Sequence, residues 1–386
     1  MKITVVTGSR SEYGILRPVI DALRADAFFT VEVVATGSHL AAEFGMTVRE
    51  IEADGVPVQH RVDMQLSGDT GVAVAKATGR AVIGFADVLA EIAPDWVVVL
   101  GDRYEILAVA QACLMLGIPL AHIGGGDLTE GSIDDAMRHA ITKMAHLHFP
   151  THADAASVIV QMGEDPSRVH CVGNPALDAI VDTQPPTLHE MRDAGYAVAA
   201  DDLLVILHPE TVADATEAGG AEHLARVTTQ ALESFHPSSA VWLILPNADA
   251  NGRVLAEALK QWAEGKPWVH VYASLPHSWF RGLMAHCRAM VGNSSAALCE
   301  APSFGLPAVN IGSRQAGRLA GPSVVHVPAS TGAIVTGLRQ AMAMKGGEFP
   351  NPYGDGRTSP RILRVLKSAT PPRNWLRKRF HRLKTS

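Results

Sequence analysis

The pattern of this 386-residue chain predicts an α/β fold made of two doubly wound domains. Three observations carry that expectation. Short apolar β-like runs alternate with helical patterns from Ile3 to Val172, and a second such series runs from Leu203 to Val327. Between the two series, Gln184 to Asp202 breaks the rhythm with Pro185-Pro186 and a polar mix. The length exceeds one ordinary core. We therefore expect a first domain over 1–183, a linker over 184–202, a second domain over 203–366 and a basic tail over 367–386.

The first strand, Ile3 to Thr7, runs into Gly8-Ser9-Arg10-Ser11-Glu12-Tyr13-Gly14 and a helix with Ile15, Val19, Ile20 and Leu23 inward. Strand, glycine turn and helix make an anion-binding geometry, because free N–H groups at a helix start face the loop. Arg10 strengthens it, since a guanidinium in such a turn suits a phosphate. The dinucleotide fingerprint G-x-G-x-x-G is absent, and no cofactor is expected. Val31 to Ala35 is a second strand ending at Thr36-Gly37-Ser38-His39, and Val72 to Ile92 reads as a long helix stopped by Pro94.

Chemistry concentrates from Val97 to Lys143. The strands Trp96 to Leu100 and Pro119 to Ile123 each end in a loop bearing acids and glycine, and such strand ends converge on one crevice in a parallel sheet. That brings Asp102, Arg103, Glu105 and Asp127 near one another, with Asp134 and Arg138 added by the next helix. In that helix Ile133, Ala136, Met137, Ala140, Ile141 and Met144 recur at helical spacing, so they should form the face on the sheet. Ser132 is the expected N-cap, with Asp135 completing a capping box. Asp134 and Arg138 share a face, as do Asp135 and His139. Surface ion pairs would explain these charges, but Gly124, Gly125 and Gly126 lie just upstream, where bare backbone lets a ligand approach. Function is the better reading. His148-Phe149 and Val169 to Val172 are further strands, the latter closed by Gly173-Asn174-Pro175 with Asp178 beyond.

The second series has strands at Leu203 to Leu207, Val241 to Leu245, Val269 to Tyr272, Ala289 to Val291, Ala308 to Ile311 and Val324 to Val327. The first five end in polar or glycine-bearing loops that carry His208, Asn247, Asn293-Ser294-Ser295 and Arg314. Two Rossmann-like domains with strand ends facing a shared central cleft would place a binding site at their interface. The Gly292-Asn293-Ser294-Ser295 turn offers hydroxyls and a helix start to a diphosphate, and Glu300 could serve ribose hydroxyls. Capping would equally explain the two serines, and solvated loop charge would explain Arg314 and Arg318.

Nearly half of the residues are hydrophobic and 19% are charged, which suits a soluble globular protein. No apolar run reaches the roughly 18 residues of a membrane span, and the first residues read as a strand rather than a signal peptide. A cytoplasmic location is expected. Cys113, Cys171, Cys287 and Cys299 lack metal or redox spacing and are expected to be buried as small apolar residues. His146, His148 and His152 have no partner at metal-ligand spacing, so no metal is expected. Net charge is −6, yet Arg373, Arg377, Lys378, Arg379, Arg382 and Lys384 form an acid-free tail. Trp375, Leu376, Phe380 and Leu383 could line a short helix there, docked on the acidic body or meeting an anionic surface. The tail is assigned no function, and no nucleic-acid partner is expected.

Taken in order, GSRSEYG, GSHL, GDRYE, HIGGGDLTEGSIDDAMRHAITK, HPET, PNADAN, GNSSAALCEAPSFG and IGSRQAGR resemble the UDP-N-acetylglucosamine 2-epimerase family. The resemblance spans Met1 to about Leu366 and is greatest to the hydrolysing branch, which feeds sialic and legionaminic acid synthesis. It implies a GT-B architecture with a C-terminal helix crossing back to the first domain, a nucleotide-sugar substrate, and a dimer or tetramer. It also implies a reaction: the proton on sugar carbon 2 is removed, the nucleoside diphosphate leaves carbon 1, and water adds to the resulting glycal with inversion at carbon 2.

By this resemblance Asp102, Asp134, Arg138 and His208 match acid/base and sugar-positioning residues, and Asp178 and Asn247 match residues that hold the sugar or its phosphates. Arg10, Arg103, Ser294, Ser295, Glu300 and Arg314 match the nucleotide-binding set, with Asn293 in the same turn and His39 facing the cleft. Many relatives carry a carboxylate or a histidine where this chain has Gly124, and Asp127 stands where the hydrolysing branch usually has Glu. Three consequences stay open: acid/base work moved to Asp127, Asp102 and Asp134; room for a larger sugar; or lost catalysis. A non-hydrolysing epimerase, a GT-B glycosyltransferase and a non-catalytic nucleotide-sugar binder are the competing readings.

Overall fold

The structure is a computed structural model that describes residues 1–386 except 69, 130–132, 183, 210–219, 236–238, 247–251 and 384–386. The expected N-cap Ser132 and the expected ligand residue Asn247 lie outside the described residues. The chain divides into two compact units. The first comprises Met1–Leu128, Asp134–Ala179 and Tyr353–Ser386, the second Thr129–Ile133 and Ile180–Pro352.

The first sheet holds β1 (Lys2–Thr7), β2 (Thr30–Thr36), β3 (His60–Val62), β4 (Trp96–Leu100), β5 (Leu120–Ile123) and β6 (Leu147–Phe149). All pair in parallel in the order β3-β2-β1-β4-β5-β6. The second sheet holds β7 (Leu203–Ile206), β8 (Val241–Ile244), β9 (Val269–Tyr272), β10 (Ala289–Gly292), β11 (Ala308–Ile311) and β12 (Val324–Val327). Its order, β12-β11-β10-β7-β8-β9, repeats the same winding. In each sheet the strand order reverses once, between β1 and β4 and between β7 and β10, and ligands of such sheets bind beyond the strand ends at that point.

The strands of the first sheet are apolar on both faces because helices cover both. Ile3, Val5, Trp96 and Val98 point to a core shared with α1 (Arg10–Ala25) and the last helix. Val6, Val97 and Val99 point to a core under α3 (Gly71–Ile92) and α4 (Tyr104–Leu116), α2 being the short Val48–Ala53. The unit continues with α5 (Ile133–Met144), α6 (Ala153–Gln161) and α7 (Ala176–Asp182). Beyond α8 (Leu188–Asp193), the second sheet shares a core with α9 (Gly220–Phe235), α10 (Gly252–Ala263) and α13 (Thr331–Met344), while α11 (His277–His286) packs on α8 and α12 (Ala296–Cys299) lies against β10 and β11.

The last helix, α14 (Thr358–Ser368), groups with the first unit rather than ending the second at 366. Ile362 and Leu366, one turn apart, are buried in the α1 core, and Asp178 accepts the Thr358 and Ser359 amides at 2.8 and 2.6 Å. The carboxylate thus caps the helix from a distant part of the chain.

Several expectations are corrected. Val169 to Val172 makes one isolated bridge, His148 to Val169, and is not a strand, whereas the three-residue β3 is. The buried stripe of α5 is Arg138, Ile141 and Thr142, continued by Ala145. Ile133 is 62% exposed, and Ala136 and Ala140 are also exposed. Cys113 and Cys287 are buried, but Cys171 is exposed. The tail is no amphipathic helix: after a single 3₁₀ turn at Pro372–Trp375 it runs without regular structure to 383. Its backbone is otherwise engaged. Arg168 donates to the Trp375 and Arg377 carbonyls at 2.6 and 2.9 Å, and the His381 amide donates to the Gly163 carbonyl at 2.8 Å. Trp375 packs edge-on to Trp96, and Lys378 reaches Glu164 at 2.6 Å.

Candidate functional site

In the first unit, polar groups gather beyond the ends of β4 and β5. Asp102 follows β4 and Asp127 follows β5, and Arg138, one turn into α5, joins them. Its Nη2 donates to Asp102 Oδ2, and its Nη1 donates to the Asp127 carbonyl at 2.7 Å and to Asp135 Oδ1 at 3.3 Å. The Arg138 side chain is 1% exposed, against 21% for Asp102 and 16% for Asp127. A buried guanidinium is tolerable only with such complete pairing. Arg138 therefore organises the acid cluster from beneath, and the acids are the groups left toward solvent. Asp134 and Asp135 occupy the first turn of α5, where acid is favoured by the helix dipole, and Asp135 also meets His139 at 3.4 Å.

The glycine triplet has a different logic from bare access. A Cβ on Gly125 would meet Thr142 Oγ1 at 2.7 Å and His122 Nδ1 at 2.9 Å. One on Gly126, where φ is +86°, would run into the Ala155 carbonyl. Those two glycines let the Asp127 loop pack against α5 and α6. Only Gly124, with φ at +76°, has room: a Cβ there would have its nearest described neighbour, the Gly101 amide nitrogen, at 4.0 Å.

Two histidines that the sequence does not assign to the site hold these loops. His122, fully buried on β5, reaches the Gly101 carbonyl through Nε2 at 2.7 Å and the Thr142 hydroxyl through Nδ1 at 3.1 Å, which ties the Asp102 turn to α5. Burial pushes it down to about 4. His152, at the start of α6, brings Nε2 to 2.8 Å from Asp127 Oδ1. The signal for it was the histidine cluster considered for metal. Among the described residues no group of ligating side chains suits a metal ion.

At the β1/β4 reversal, Glu12 and Glu105 are buried near each other. Glu12 accepts the Gly8 amide at 2.5 Å, and burial, then the Glu105 charge, push its carboxyl up to about 8. Glu105 takes Arg103 Nε at 2.8 Å, and a Cβ on Gly8 would strike it. Arg10 pairs with Glu50 at 2.8 Å and remains partly exposed. His39 does not face an open cleft. It is fully buried between the Thr7 and Thr47 hydroxyls at 3.1 and 2.8 Å, and burial pushes it down to about 4. Asp178, expected at the ligand, is spent on capping α14.

In the second unit, the β7/β10 reversal brings His208 and Asn293 together. The Asn293 amide takes the His208 N–H at 2.7 Å and donates to its carbonyl at 2.8 Å, while Gln315 donates to the Asn293 carbonyl at 2.8 Å and Arg314 does so at 3.2 Å. Asn293, 0% exposed, is thus a clamp on the His208 loop. Ser294 Oγ accepts the Ala296 amide at 3.4 Å, whereas Ser295 makes no capping bond to α12. Glu300 follows α12. Burial pushes its carboxyl up to about 7 against the pull of Arg281, and its Oε2 meets no hydrogen-bond partner among the described residues.

Two parallel sheets of six strands with this shared winding, flanked by helices, define a GT-B type α/β protein. The crystal structure of UDP-GlcNAc 2-epimerase from Neisseria meningitidis bound to UDP-GlcNAc has this fold. It matches at a TM-score of 0.82 and 20% identity, over 95% of this chain and 100% of that one. Residues 21–367 match the family described as UDP-N-acetylglucosamine 2-epimerase, and the chain belongs to that family. A Legionella pneumophila relative named UDP-N,N'-diacetylbacillosamine 2-epimerase (hydrolyzing) is 34% identical, over 95% of this chain and 96% of its own. A Campylobacter jejuni relative, GDP/UDP-N,N'-diacetylbacillosamine 2-epimerase (hydrolyzing), is 33% identical over 84% and 83%.

Proposed function

We propose that this chain is a hydrolysing 2-epimerase of a nucleoside-diphosphate-linked 2-acetamido sugar. The observation that carries the reading is the Asp102–Arg138–Asp127 cluster on the frame of this family. Inversion at carbon 2 through a glycal needs one group to take a proton and another to return it to the opposite face. Asp127 and Asp102 are the proposed pair, with Asp134, in the first turn of α5, proposed as a further acid. The C2–H bond breaks toward a carboxylate as the C1–O bond to the diphosphate breaks. Water then gives its hydroxyl to carbon 1, and carbon 2 regains a proton. In this reading Arg138 keeps the acids apart and oriented, and His208, clamped by Asn293, contacts the substrate.

In the second unit, Ser294, Ser295 and Arg314 are proposed to receive the diphosphate, which must be stabilised as it leaves. Glu300 is proposed for the ribose, since its Oε2 has an acceptor position to offer a hydroxyl. Arg10 and Arg103, in the first unit, are proposed to meet an anionic group of the substrate. Each now pairs with a carboxylate, Glu50 or Glu105.

Two sugars fit this reading, N-acetylglucosamine and a 2,4-diacetamido-2,4,6-trideoxy sugar. The looser packing at Gly124 and the names of the two hydrolysing relatives favour the second. The test is incubation with UDP-N-acetylglucosamine, and separately with UDP- and GDP-linked 2,4-diacetamido-2,4,6-trideoxyglucose, in deuterated water followed by NMR. A free manno-configured sugar with deuterium at carbon 2 is expected. An epimerised sugar still joined to its nucleotide would refute hydrolysis, and binding without labelling would refute the enzyme reading.

A further inference from the structure

We propose that His152 is a positioning residue for Asp127, an inference that rests on Asp127 being one of the proton-handling carboxylates. His152 is the N-cap of α6, and its Nδ1 accepts the Ala155 amide at 3.2 Å. A ring nitrogen that accepts carries no hydrogen, so the imidazole proton sits on Nε2, 2.8 Å from Asp127 Oδ1. The helix start therefore fixes the tautomer that donates to the carboxylate.

The choice of residue supports this. Imidazole is not a favoured N-cap, since Ser, Thr, Asp and Asn lead. The other side-chain caps among the described residues follow the rule, at Ser9, Thr70, Asp165 and Thr187. A serine at 152 would cap α6 but could not reach Asp127, and an aspartate would set a second negative charge against it. An imidazole, with an acceptor on one edge and a donor on the other, spans both neighbours. The ring is further fixed by Tyr353, edge-on at 5.3 Å, and is 8% exposed. Asp127 is thus held at two points, its carbonyl by Arg138 and its carboxylate by His152. Its Oδ2 is the oxygen this arrangement leaves for a sugar.

The test compares His152→Ala and His152→Gln. Both lose the Nδ1 acceptor and should lower the melting temperature alike. Glutamine keeps an N–H donor near the Nε2 position, whereas alanine keeps none. His152→Ala should lower kcat about 10- to 100-fold, the loss expected from one hydrogen bond to a charged group, with KM little changed, and His152→Gln should recover most of that loss. Equal loss in the two variants, or full activity in His152→Ala, would overturn the proposal. Asp127→Asn separates the two levels of the argument. If it is inactive while His152→Ala is unimpaired, the His152 role alone fails; if it turns over normally, the reading of Asp127 fails and takes the His152 role with it.

Discussion

Replacing Asp178 with alanine should cost stability rather than substrate affinity. The carboxylate is 2% exposed and takes the first two amides of α14 at 2.8 and 2.6 Å, neither of which has an acceptor within the helix. Hydrogen bonds to a charged acceptor are worth about 1.5 kcal/mol each at the low end, so the loss is about 3 kcal/mol. α14 seats Ile362 and Leu366 in the core of the first unit, so the damage should spread beyond the helix end. Urea unfolding would measure it as a lower midpoint, with Asp178→Asn, which keeps one acceptor oxygen, falling between wild type and alanine. An unchanged midpoint together with a raised KM for the nucleotide sugar would refute the capping argument and return Asp178 to the ligand.

Two further expectations concern pH. Glu12 has its folded value raised from 4.5 to about 8, so the folded state holds an extra proton in that range and its stabilising contribution is lost as pH rises from about 4.5 through about 8. Glu12→Gln, which can still accept the Gly8 amide, should flatten that decline in a series of unfolding curves. Glu164 runs the other way. Burial opposes its charge, but hydrogen bonds from His148, Lys143 and Lys378 outweigh burial and bring it from 4.5 to about 2, so its contribution is present above about 4.5 and is lost as pH falls toward about 2. Glu164→Gln should lower stability at neutral pH, because it removes the charge that His148, Lys143 and Lys378 face, and should weaken the acid dependence of unfolding.

Strand positions were legible because burial on both sheet faces leaves unbroken apolar runs, and β4, fully buried from Trp96 to Leu100, falls where its run predicts. β3 was not legible: His60-Arg61-Val62 is short and polar, and its pairing with β2 defines it. The buried face of α5 was misread because hydrophobic periodicity cannot register an arginine as a core residue. Arg138 is buried since three acceptors meet it, and two of them, Asp102 and the Asp127 carbonyl, come from outside the helix. The same limit hid His122, whose place in β5 looks like one more residue of a strand. In the tail, spacing suggested a helix, yet two of the carbonyls a helix would use are taken by Arg168. The acid positions Asp102 and Asp127 were legible from strand-end logic alone. Which nitrogen or carbonyl secures each acid was not, because those partners are remote in sequence.

His39 and His122 act as pegs: each joins separate chain segments through both edges of its ring, and each is held near 4 by burial. An ordinary histidine changes charge close to neutrality. These two do not, so the frame they pin keeps its geometry throughout the neutral range. A rate profile that bends near pH 7 would then report the groups that meet the sugar or the nucleotide rather than a loosening of these joints. The chain has in effect placed its most titratable kind of side chain where titration is silent.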